Sequence, residues 1–165
     1  MAFDAFLKID GIPGESTDDK HKDWIEVLSY SHGISQPSGG SRSTGGAATS
    51  GRADHQDFSI VKVLDKASPK LNLSICNGKH IRTVTLELCR ATENKQKYME
   101  YKMSDVIVSS VQSGGSAKGG ETLPLEEVSF NYGKIEWTYT ATDHKTGKPA
   151  GDVKAQWDST ANKGA

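Results

Sequence analysis

Apolar and polar residues alternate with a period of two along most of this chain, a pattern that commits it to strands with one face turned inward. In the first run Phe3, Ala5, Leu7 and Ile9 share a face opposite Asp4, Lys8 and Asp10, and the Gly11-Ile12-Pro13-Gly14 turn ends it. A second run, 24–35, puts Glu26, Leu28, Tyr30 and His32 on one face. Ile25, Val27, Ser29 and Ser31 fall on the other, so that face ends in small hydroxyls. Further runs cover 56–64, 80–90, 97–103, 106–112, 125–132, 135–142 and, weakly, 153–157. Gly133-Lys134 reads as a hairpin turn between two of them, and Lys145-Thr146-Gly147-Lys148 as another turn. The single helix signal starts at Ser68, expected as the N-cap, with Pro69 at the first helical position and Gly78 closing the segment. Leu71, Ile75 and Cys76 give it one apolar stripe.

Short strands around one helix close most economically as a small β-barrel or sandwich with the helix plugging one side. The 165 residues suffice for one such domain, 1–165. Between the strands, Pro37 to Arg52 holds five Gly, four Ser and two Thr in sixteen residues, with no aliphatic side chain larger than Ala. That segment has no core of its own and is expected as a long extended loop; Ser113 to Gly120 reads as a second flexible connection. Residues 159–165 are expected as a loose tail.

Charge argues against several functions. Twenty basic and 21 acidic side chains are interspersed, for a net charge of −1, so neither nucleic acid nor a membrane surface is an expected partner. Apolar stretches such as Val106-Ile107-Val108 fall far below the roughly 18 residues needed to span a bilayer. The opening residues, with Asp4 and no basic n-region, do not read as a cleavable signal peptide. Cys76 and Cys89 lack metal-ligand spacing and read as reduced, semi-buried thiols of a protein that starts in the cytoplasm.

No catalytic, cofactor or metal site is expected. Ser59-Ile60-Val61-Lys62 matches SxxK, but on a strand residues three apart face opposite ways, and no Ser-Asp-Asn accompanies it. Glu126 and Glu127 likewise face apart, against a carboxylate pair for glycoside hydrolysis. No two histidines share a metal-binding spacing, and Asp18, Asp19, His21 and Asp23 read as a solvated charged loop. What remains is a β scaffold with glycine-serine insertions and open edges, a description that favours assembly over catalysis.

Several segments carry a resemblance. Lys8-Ile9-Asp10-Gly11-Ile12-Pro13-Gly14-Glu15-Ser16 with His21, then Ile25 to Gln36, resembles the opening of the haemolysin-coregulated protein (Hcp) family, the inner-tube proteins of type VI secretion. The likeness continues through Asp65 to Leu71, Asn77 to His80, Val108 to Val111 with Ser113-Gly114-Gly115, and Val128 to Phe130 with Trp137 and Tyr139. The resemblance implies a closed β-barrel of two packed antiparallel sheets. It also implies a homo-hexameric ring stacking head-to-tail on neighbouring rings, a contractile sheath, a spike protein, and small effector proteins held in the lumen. Export would follow a cytoplasmic stage without a cleavable signal. A carrier dedicated to one effector, with little part in tube building, is the alternative.

The same resemblance implies roles for residues. Ser29 and Ser31 would face the lumen. Gly39, Gly40, Ser41, Arg42, Ser43, Thr44, Gly45, Gly46 and Arg52 would contribute to a loop reaching neighbouring subunits. Glu15, Asp18, Asp19 and Lys20 would face sheath or the next ring. His32 stands where the family resemblance leads one to expect an aromatic residue.

Overall fold

The computed structural model describes residues 2–39, 49–50, 52–118 and 123–165. Its strands are β1 (Phe3–Ile9), β2 (Ile25–Val27), β3 (Ser29–Ser31), β4 (Ile34–Ser35), β5 (Ser38–Gly39), β6 (Thr49–Ser50), β7 (Asp54–His55) and β8 (Phe58–Val63). The helix α1 (Ser68–Asn77) follows, then β9 (Ile81–Arg90), β10 (Lys97–Gly114), β11 (Leu125–Thr142), β12 (Pro149–Asp158) and β13 (Lys163–Gly164). Antiparallel ladders join β13, β12, β11, β10, β9, β1 and β2 in that order, and β8 branches from β11 to pair with β3. Two short ladders, β4 with β7 and β5 with β6, stand apart.

The mainly β, one-helix architecture is as expected. Closure of the barrel is not given by the ladders: among the described residues no sheet closes on itself through hydrogen bonds. The gap lies between β2 and β3, joined by Leu28 alone, whose N–H donates to the Val61 carbonyl at 2.8 Å.

Two expected breaks are absent. The runs 97–103 and 106–112 form one 18-residue strand, and 125–132 and 135–142 form another, so Gly133-Lys134 is not a hairpin turn. Asp105 takes φ 54° opposite Gly133, and the ladder of the two long strands keeps its register on either side of this pair. The real hairpin, between β11 and β12, turns at Asp143 to Lys148. The tail is not loose either: β13 pairs with Trp157 and Asp158, and Ala165 and Gln156 exchange two backbone hydrogen bonds.

Leu7, Ile25, Phe58, Leu86, Met103 and Phe130 fill the core, and α1 closes one side of it with Leu71. The expected stripe is narrower than Leu71-Ile75-Cys76, because Ile75 is half-buried and Cys76 exposed. Gly78 ends the helix at φ 63°, the left-handed conformation its lack of Cβ permits. Ser68, however, is not the N-cap: Ala67 is, and it supplies no side-chain cap.

The Ser68 hydroxyl instead donates to Glu126 Oε2 at 2.7 Å and accepts from Asp65 N–H and Lys62 Nζ. Lys62, fully buried, also donates to Asp65 Oδ1 at 2.9 Å and lies 2.7 Å from Glu126 Oε2. Burial by itself would raise the Glu126 carboxyl, but hydrogen bonds from Lys62 and Ser68 and the lysine's charge hold it below its usual range. A charged cluster thus welds the helix start to β8 and β11. Among the described residues no helix is long and apolar enough to cross a membrane.

Candidate assembly and carrier surfaces

Ser29 and Ser31 are exposed, so neither is packed into the wall. Their placement depends on a change of face at Leu28. Ile25 and Val27 are buried, yet beyond exposed Leu28 it is Tyr30 and His32 that turn inward, against Phe58 and Tyr101. The uniform two-face alternation expected over 24–35 therefore breaks at one residue.

Register carries the hydroxyl face much further than two serines. Ser31 pairs with Ser59, Ser59 with Ser129, and Ser129 with Ser110, so one row of four hydroxyls crosses β3, β8, β11 and β10. Ser59 and Ser129 Oγ lie 2.8 Å apart. The neighbouring row runs Ser29, Val61, Glu127, Gln112. Directly opposed residues of antiparallel strands share a face, and the inward face beneath holds Tyr30, Ile60 and Val128. In the sequence Ser59 stands out only through its SxxK match, and Ser110 and Ser129 only as members of segments that resemble the family; the row they form exists only in the pairing register.

The glycine-serine excursion leaves and returns as a narrow ribbon through the β4–β7 and β5–β6 ladders. Gly39 ends β5 and Arg52 is exposed. Gly40, Ser41, Arg42, Ser43, Thr44, Gly45 and Gly46 lie outside the described residues. At the ribbon's base the Tyr132 hydroxyl lies 3.0 Å from His55 Nδ1 and 3.5 Å from His32 Nε2. Burial, with the charge of Asp57, pushes the Tyr132 phenol up, so it remains an O–H able to donate to one of them. Burial and the neighbouring His55 push His32 below its usual value. The His32 ring sits among Phe58, Tyr101 and Tyr132, filling the place of an aromatic side chain.

The segment 15–20 is not the solvated loop its charges suggest. Gly14 is pressed against the Trp24 backbone, Gly14 N–H donates to the Asp23 carbonyl at 2.7 Å, and Ser16 N–H donates to the Trp24 carbonyl at 2.9 Å. Asp18 turns inward, with a 4% exposed side chain held by Lys95 Nζ and by His21 Nδ1 at 2.7 Å. Hydrogen bonding from Lys95 holds its carboxyl down at about 2, against the opposing effect of burial and with help from His21. His21 is also buried, stacked on Phe6 and 2.6 Å from Glu87 Oε2. Asp18 is thus an internal anchor. Asp19 stays exposed, while exposed Glu15 accepts from Lys66 N–H and Lys20 donates to the Asn94 carbonyl. Of the two thiols, Cys76 is exposed and Cys89 buried, the latter pushed up to about 11 by burial and by the charges of Glu87, Asp18 and Asp4.

Residues 6–139 match the family described as "Type VI secretion system effector, Hcp". Over 163 residues, 98% of both chains, the sequence is 37% identical to "Protein hcp1" of Pseudomonas aeruginosa. It is 27% identical over 135 residues to the "Major exported protein" of the same organism, covering 76% of this chain and 74% of that one. A solved "type six secretion system protein" superposes with a TM-score of 0.92 at 36% identity, covering 99% of this chain and all of that one. Hcp1 from Salmonella typhimurium superposes with a TM-score of 0.80 at 34% identity, with the same coverage. The family is one of structural secretion-system proteins, not of known enzymes. The motif order, the topology and these matches agree, and the chain belongs to the Hcp family of type VI secretion proteins.

Proposed function

We propose that six copies of this chain form a ring, that rings stack head-to-tail into a tube, and that the tube carries small effectors in its lumen. Sheath contraction would drive it out behind a spike, after a cytoplasmic stage. In this reading the β2–Leu28–β3 bend is the seam at which the sheet folds over into a barrel.

The observation that carries the proposal is the four-serine row crossing β3, β8, β11 and β10, with Ser31 exposed. Small hydroxyls keep a channel wide and offer short donors and acceptors to unlike surfaces, with no pocket demanding one shape. The ribbon from β4 to β7 supplies the reach toward neighbouring subunits.

Light scattering on purified protein, with negative-stain images of the same peak, tests the ring. A six-fold mass with an open centre is expected; a stable monomer at micromolar concentration refutes it. Ser31→Gln, on the exposed row, should impair retention of a co-expressed effector and leave ring mass unchanged. If the ring is lost instead, the face is structural. Deleting this copy separates tube from dedicated carrier, since a general secretion defect supports the first and loss of one effector the second.

A further inference from the structure

The corner between the 15–24 segment and β9 holds a set of side chains that neither ring building nor cargo carriage uses. His21 Nε2, Glu87 Oε2 and Cys89 Sγ all lie within 4.8 Å of one another, from one buried imidazole, one half-buried carboxylate and one buried thiol. Nε2 is 2.6 Å from Oε2 and 4.0 Å from Sγ. On the far side of the ring, Asp18 Oδ2 lies 2.7 Å from Nδ1. A carboxylate on the second nitrogen of an imidazole, fixing its orientation and raising its basicity, is the usual outer partner of a metal-ligating histidine.

We propose that His21, Glu87 and Cys89 form a binding site for a zinc-class divalent cation, with Asp18 as the positioning residue behind the imidazole. Mixed nitrogen, oxygen and sulfur donors suit a borderline-soft ion, which excludes calcium and magnesium. Zinc bonds of about 2.0–2.3 Å put tetrahedral donor atoms roughly 3.3–3.7 Å apart. The Nε2–Oε2 contact must open by about 0.7 Å, and the Nε2–Sγ separation close by about half that, to reach such spacing. Glu87 has the freedom to give way, its side chain being 18% exposed at the mouth of a cleft shared with Lys20, Asn94 and Lys97. His21 lines the same cleft, so solvent reaches the imidazole and the carboxylate of the site.

Charge balances across the exchange. A contact of 2.6 Å between His21 Nε2 and Glu87 Oε2 holds one proton, whichever of the two atoms carries it, and the cation takes that proton's place and the place of the Cys89 thiol proton. One dication enters, two protons leave to solvent, and the net charge of the corner is unchanged. The lysines do not occupy the donor positions: Lys97 lies 3.6 Å from the other Glu87 oxygen, and Lys95 pairs with the other Asp18 oxygen. Bound there, the ion would tie the 15–24 segment to β9 from inside.

Cobalt(II) is the first probe, because a thiolate ligand gives it a near-ultraviolet charge-transfer band. Titrating the reduced full chain should raise that band to saturation at one ion per protomer, and zinc should remove it by competition. Cys89→Ser should abolish the band and Cys76→Ser should keep it. Asp18→Asn should keep the band and weaken affinity about 10–100-fold. Glu87→Gln tests the site without touching the thiol and should weaken affinity at least about tenfold, with circular dichroism showing the variant folded. Absence of the band in wild-type protein, or a band lost with Cys76 but kept without Cys89, overturns the proposal. The readout does not depend on oligomeric state, so it fails or succeeds separately from the ring.

Discussion

Lys62 shows how much a single side chain carries here. It is fully buried with Glu126, and each satisfies the other through short contacts completed by Asp65 and Ser68. Removing one partner strands a charge in the core, so Lys62→Met should lower stability by about 3–5 kcal/mol in urea denaturation. Lys62→Met combined with Glu126→Leu should recover most of that loss, because no ion is then left unpaired. An additive double variant would contradict the coupling. His32 gives a pH dependence of defined sign. Its folded form disfavours the proton, so its contribution to stability is complete above 6.5 and is lost as pH falls through the depressed folded value. The melting temperature should therefore drop between about pH 7.5 and about pH 5.5, and His32→Phe should shrink that drop by removing the titrating group from its aromatic site. An unchanged drop in His32→Phe would assign the effect elsewhere.

Elements were legible where local signals and tertiary context agree. The strand at Phe3–Ile9 and the left-handed stop at Gly78 follow from alternation and from glycine's freedom. The same signals failed where long-range pairing decides. Gly133-Lys134 has turn composition, but its pairing with Ser104 to Val106 of β10 carries β11 straight through it. Ser68 has cap chemistry, but Lys62 and Glu126, distant in sequence, claim its hydroxyl. Asp18 and His21 sit in a polar stretch, and nothing local announces Glu87 and Lys95 as their partners. Of the candidate site, Ser29 and Ser31 are reached through the family resemblance, since the alternation alone sets them on the face of buried Ile25 and Val27, and the continuation of Ser31 through Ser59, Ser129 and Ser110 exists only in the register. Gly14 marks how tightly the polar segment is seated: a Cβ there would stand 2.4 Å from the Trp24 carbonyl oxygen and 2.7 Å from Ile25 Cγ1. Gly14→Ala should lower stability by about 1–3 kcal/mol and free the 15–24 segment, read as faster amide exchange at Ser16 and Asp23. Unchanged exchange would show that the segment is held by its side chains alone.

At the scale of the molecule, β1, β2, β8 to β11 and α1 share one buried cluster, while the described parts of the β4–β7 ribbon put no residue into it. The core should unfold as one unit and the ribbon should be separable from it. Brief trypsin treatment of dissociated protomers should cut first after exposed Arg52 and leave the remainder folded, while stacked rings resist cutting there. Cutting at the same rate in both states would remove the ribbon from the contacts between copies. The change of face at Leu28 bears on how such a chain can diverge. Leu28 is the one extra residue that lets Ile25 and Val27, and then Tyr30 and His32, all look inward, so losing it would leave Ser29 and Ser31 outward on one unbroken alternation and take away the corner between β2 and β3. The length of that stretch, more than its lettering, decides whether the sheet turns there or runs on straight.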